Sequence, residues 1–90
     1  MDTNRTAPPS ARWDGPAYDE RGGHWTARLR HTLPDRERAT GLETVVYGPT
    51  EWACVAEANR QDRLWVEYPL RTDDRDGARA RLRFLAGGAG

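Results

Sequence analysis

Ninety residues carry 14 basic and 14 acidic side chains, a formal net charge of zero, which excludes the strongly basic profile of a protein built mainly to hold phosphate backbone. That length admits one domain at most, and a chain this short buries only about 60–65% of the surface its unfolded form exposes. The single cysteine excludes an intrachain disulfide and suits a reducing cytoplasm.

Every basic residue is arginine and none is lysine. That bias suggests a GC-rich bacterial genome before it suggests a function. Acids alternate with the arginines, as in PDRERATGLE and RTDDRDGARARLR, which reads first as solvated faces laced with local ion pairs. No window of 18 apolar residues occurs, so no membrane-spanning helix and no membrane partner is predicted. Met1-Asp2-Thr3 has no basic leader and no apolar segment behind it, so no secretory signal is predicted and the N-R-T sequon at residues 4–6 carries no weight.

In chain order, residues 1–12 are polar, carry two adjacent prolines and show no apolar period, so they are expected to form a disordered leader. A single small domain is expected over residues 13–86, with a flexible Gly/Ala tail at 87–90. RWDGPAY places Trp13 and Tyr18 on a short strand interrupted by Gly15-Pro16. Gly22-Gly23 supplies a tight turn, after which Trp25, Ala27 and Leu29 alternate with Thr26, Arg28 and Arg30. That is the period of a strand with one buried face. Pro34 ends it, DRERATG is a polar loop or one helical turn closed by Gly41, and LETVVYG reads as another strand.

GPTEWACVAEANRQDRLWVEYPL, residues 48–70, reads two ways. As a helix it starts with Thr50 as capping hydroxyl, and its residue choice favours helix from about Glu51 to Gln61. The stripe Trp52, Val55, Ala56, Asn59, Arg63, Val66 and Leu70 is then the face expected to carry Trp52 and Val55 onto the sheet. As strands, Trp52, Cys54, Ala56 and Ala58 form one apolar set, and Leu64, Val66, Tyr68 and Leu70 another, joined by NRQD. Beyond Gln61 the helix continues or gives way to a strand, and Pro69 stops either. In both readings Trp65 points away from the buried set. TDDRDGARARLRFLAG is a helix capped by Thr72 or Asp73, with Ala78, Leu82 and Leu85 inward and an arginine ridge at 75, 79 and 83 beside them. At 100° per residue, Phe84 points away from that inward face.

No constellation points to a reaction, so no catalytic, cofactor-binding or metal residue is assigned and the chain is not expected to be an enzyme. TDDRDG resembles part of a calcium loop, but Thr72 and Arg83 stand where its strong ligands belong, and helix capping explains the acids. Cys54, His24 and His31 lack paired-ligand spacing. Cys54 lies among alanines and valine and reads as a small buried hydrophobe.

The expected fold is α+β: a small antiparallel sheet from residues 13–48, a helix from about 51, and a C-terminal helix from 73 to 86 packed over the sheet. The alternative is a mostly β chain with that single helix. Four tryptophans, three tyrosines and one phenylalanine are more than so small a core holds. Surplus aromatics beside arginine match the composition of protein–protein hot spots. Trp65, Phe84, Arg63, Arg79, Arg81 and Arg83 are therefore the candidate interaction residues of a small, non-catalytic interaction or regulatory module, working as a homodimer or with a protein partner. The alternative is a weak nucleic-acid binder whose C-terminal helix grips phosphates while Trp65 or Phe84 stacks on bases.

Overall fold

A computed structural model describes residues 8–87 of the chain. Residues 1–7 of the expected leader and 88–90 of the expected tail lie outside the described residues. Three antiparallel strands, β1 (Trp13–Asp19), β2 (His24–Leu29) and β3 (Val45–Gly48), pair in the order β1-β2-β3. At the β1–β2 turn the Asp19 carboxylate accepts from the backbone N–H groups of Arg21 and Gly22, and Gly23 N–H returns to the Asp19 carbonyl at 2.8 Å. In β1 the register slips between Asp14 and Ala17. Gly15 makes that bulge, with φ +100, a conformation strained for any residue with a Cβ, which would also crowd the Thr26 carbonyl oxygen at 3.0 Å.

The alternation in β2 sets the two faces of the sheet as expected. Ala27 lies opposite Val46, both buried, and Trp25 and Leu29 pack against them half-buried. Thr26 lies opposite Tyr47 and Ala17 on the other face. No described helix covers that side, and Tyr47 is exposed there.

Between β2 and β3 the chain makes one helical turn, α1 (Asp35–Arg38), flanked by buried Leu33 and Leu42. Then Gly48-Pro49-Thr50 turns directly into α2 (Glu51–Glu67), where the Thr50 hydroxyl accepts from Ala53 N–H at 3.0 Å. The helix reading therefore holds from Glu51 through Glu67, and no second hairpin forms there. Tyr68–Thr72 tightens into a 3-10 turn around buried Pro69. Asp73 then reverses the chain in the left-handed region, φ 59, with Asp74 N–H reaching back to the Pro69 carbonyl and Asp73 N–H to that of Leu70. α3 runs over Arg75–Gly87.

α2 lies across the sheet, and the core is Trp13, Ala27, Val46, Cys54 and Ala58. Four expectations are corrected here. Trp52 and Val55 do not pack on the sheet: Trp52 is 79% exposed and Val55 half-buried, while Cys54, Ala58, Gln61 and Asp62 turn inward. α2 approaches β3 so closely at Gly48 that only small residues fit between, so the helix buries its Cys/Ala side and turns its Trp/Val side outward. α3 packs on α2 and the 3-10 turn rather than over the sheet. Its cap is Asp74, whose carboxylate accepts from Gly77 N–H at 2.9 Å, not Thr72 or Asp73, which belong to the preceding turn. Finally, Leu82 is exposed: the inward side of α3 carries Ala78, Arg81 and Leu85, because Arg81 has an acid to meet across the helix interface.

Candidate functional site

Two surfaces concentrate the charged and aromatic residues that the sequence singles out. One is a largely internal cluster where four parts of the chain meet around Trp65. Arg12, just ahead of β1, is 1% exposed. Its Nη1 donates to Asp62 Oδ1 of α2 at 2.7 Å and its Nε to His31 Nε2 at 3.2 Å. Trp13 Nε1 donates to the same Asp62 oxygen at 2.8 Å. On the α3 side, Arg81 forks onto Glu37 of α1 at 2.9 and 3.2 Å and also donates to the Trp65 carbonyl at 2.9 Å. Both guanidiniums lie against the Trp65 indole, 4.2 Å (Arg12) and 4.9 Å (Arg81) from its centroid.

Two arginines are thus matched by two carboxylates, so the cluster is electrically balanced. Desolvation by burial lowers the Arg12 pKa below its ordinary value, opposed by the hydrogen bond and charge of Asp62. An arginine remains charged regardless. Every named donor faces an acceptor within the cluster, which is the arrangement of a structural clasp rather than of a site awaiting substrate.

Trp65 is therefore half-buried in this cluster, not exposed. It is wrapped because Arg12 approaches from the N-terminal segment, a contact with no local trace in the sequence. Phe84 is 40% exposed, as its position on the outward side of the helix implied, and its ring also meets that of Trp65 edge-wise with centroids 5.9 Å apart. Arg81 is engaged internally, whereas Arg63, Arg79 and Arg83 are exposed and form no ion pair among the described residues. The six expected interaction residues therefore do not make one patch: Trp65, Phe84 and Arg81 come together, and the other three face water.

The second surface is the outer side of α2. Trp52, Val55, Ala56, Asn59, Arg63 and Val66 lie along it, from fully exposed to half-buried. These are six of the seven members of the sequence stripe that was expected to face the core; the seventh, Leu70, lies in the 3-10 turn. Trp52 is the most exposed large apolar side chain described.

The remaining candidates stay apart. His24 packs edge-on to Tyr47 at the hairpin end, its Nε2 3.6 Å from Asp19, while His31 lies beyond the end of β2 beside Arg12 and Trp65. Cys54 is fully buried, and desolvation raises its thiol pKa above the ordinary value. Among the described residues no group of three or more His, Cys, Asp or Glu is placed to hold a metal ion. No described helix is long and apolar enough to cross a membrane. A shallow, open depression of about 430 Å³ lies between α2 and the 3-10 turn, lined by Leu64, Glu67, Tyr68, Leu70 and Arg71.

No known protein family, curated protein or solved structure matches this chain.

Sequence reasoning missed Arg12, Glu37 and Asp62, the polar members of the clasp.

Proposed function

We propose that the chain is a small, non-catalytic interaction module that acts through protein–protein contacts in a reducing cytoplasm. The observation that carries this reading is Trp52. A tryptophan that is 79% exposed on a regular helix, flanked by Val55 and Ala56, is a large apolar surface kept in water. Tryptophan and arginine are the residues most enriched at binding hot spots, and Arg63 stands on the same side of the helix. The clasp around Trp65 supports the reading indirectly: it ties α1, α2, α3 and the N-terminal segment into one rigid body that can present this face.

A phosphate-gripping role for α3 is the second reading, supported by the exposed ridge of Arg75, Arg79 and Arg83. Arg75 already lies 3.6 Å from Asp73, and Arg81 is engaged with Glu37, which leaves few free cations on the helix. Three phosphate contacts would lose roughly 40-fold in affinity between 50 and 200 mM salt.

A photo-crosslinking amino acid at position 52, compared with one at Arg28 on the open sheet face, tests the first reading. Irradiation of cells expressing the chain is expected to give discrete protein adducts from position 52 and none from position 28. Equal, diffuse labelling from both positions, or none from either, overturns it.

A further inference from the structure

The outer stripe of α2 has a symmetry that says what fits it. Asn59 stands seven residues after Trp52 and seven before Val66, and four after Val55 and four before Arg63. Positions that recur at such spacings lie along one side of a helix. The Trp52, Asn59, Val66 series is consequently apolar at both ends, polar at its centre, and the same in character in either direction, while Arg63 stands where Val55 has its mirror position.

We propose that this face docks a second copy of the chain, the two α2 helices running antiparallel about a two-fold axis through Asn59. The inference rests on the interaction reading above and commits it to one partner. In that arrangement Trp52 of each copy meets Val66 of the other, and the carboxamides of the two Asn59 side chains meet on the axis. A carboxamide carries both donor and acceptor, so it pairs with its own copy without leaving a polar atom unmatched. A central asparagine also fixes register, because any slip along the helix sets the amide against an apolar neighbour.

Arg63, which has no ion-pair partner among the described residues, falls opposite Val55 of the second copy and one turn from its Trp52, within reach of the indole face. A two-fold axis requires such self-complementarity, each patch meeting its own image. Two tryptophan side chains bury about 150–250 Å² each, a substantial share of the roughly 1,200 Å² at the lower limit of a stable interface.

Sedimentation equilibrium on the full chain, with Trp52→Glu and Asn59→Cys variants, tests this. The wild-type chain is expected at twice its monomer mass. Trp52→Glu is expected to raise the dimer dissociation constant at least about 30-fold, the effect of removing one hot-spot aromatic, with unchanged circular dichroism and a melting temperature that no longer depends on protein concentration. Asn59→Cys, being on the axis, is expected to oxidise to a covalent dimer, while Arg60→Cys, one position round the helix, is not. The native Cys54 is buried and takes no part. A wild-type chain that stays monomeric into the hundreds of micromolar overturns the proposal, as does a dimer that Trp52→Glu leaves intact or that Asn59→Cys fails to lock. A monomer that still gives adducts to other proteins from position 52 overturns self-association alone. A monomer with no adducts removes the interaction reading too.

Discussion

Arg12 and Asp62 are fifty positions apart in the chain and 2.7 Å apart in the fold, with side chains only 1% and 8% exposed. The same Asp62 oxygen takes the Trp13 indole N–H, so one carboxylate anchors two consecutive residues of the incoming chain to α2. A buried pair of this kind adds little over an apolar replacement, since both charges lost their water, but breaking it from one side is expensive. Asp62→Ala leaves the buried guanidinium without its counter-charge, and its Nη1 and the Trp13 indole N–H without their acceptor, and is expected to cost about 3–5 kcal/mol. The Arg30–Asp14 pair has nearly the same length, 2.9 Å, but lies in water. Asp14→Ala is expected to cost under about 1 kcal/mol. Urea midpoints of the two variants separate these values, and equal midpoints would show that the clasp contributes nothing special.

Gly48 is where β3 hands over to α2. A Cβ there would lie 2.7 Å from the Ala53 carbonyl carbon and 2.9 Å from Cys54 Cα, and closer still to the Cys54 nitrogen. All three are backbone atoms, so no side-chain rotation relieves the clash. Gly48→Ala is expected to lose about 3 kcal/mol, the upper end of ordinary overpacking, and to reduce the thermal midpoint by well over 10 °C. A variant that melts within a degree or two of the wild type would mean the helix and strand stand further apart than described.

Elements governed by local rules were legible in the sequence. The Trp25/Ala27/Leu29 alternation, the Thr50 cap and the β-branched run before Tyr47 each follow from short-range sterics and hydrogen bonding. The buried side of α2 was not legible, because it consists of Cys54, Ala58, Gln61 and Asp62, two small residues and two polar ones. Gln61 is there to hold the incoming loop: its amide accepts from Glu43 N–H at 2.9 Å and donates to the Gly41 carbonyl. Hydrophobic periodicity ranked the Trp52–Val66 stripe higher, and that stripe faces water. The same holds for the clasp. Arg12, Glu37 and Arg81 are each unremarkable within their own segment, and only the fold brings them around Trp65.

Cys54 carries a pH prediction whose sign follows from burial. Desolvation raises the thiol pKa in the folded protein, so the folded state holds its proton where the unfolded chain releases it. The contribution is fully present below the ordinary thiol range and is lost as pH rises through it, by up to about 1.4 kcal/mol for each pH unit above that range. Urea midpoints at pH 7 and pH 9.5 should therefore fall more for the wild type than for Cys54→Ala. A thiol reagent at pH 7 should label the protein only after denaturant is added. Rapid native labelling would contradict the burial.

Arg81 separates structural from surface arginines on a single helix. Its guanidinium forks onto Glu37, which is 3% exposed, and holds the Trp65 carbonyl as well. Arg79 and Arg83 flank it in sequence and point to water. Arg81→Ala is expected to cost about 3–5 kcal/mol, because it strands a buried carboxylate. Arg81→Lys keeps the charge but not the two-pronged geometry and should recover only part of that. Arg79→Ala and Arg83→Ala are each expected to stay within about 0.5 kcal/mol of the wild type. Adding Glu37→Ala to Arg81→Ala supplies the internal check. Removing the stranded acid should make the double variant markedly more stable than the sum of the two single losses implies. If the losses simply add, the two side chains are not coupled, and Arg81 returns to the group of arginines free to meet a partner.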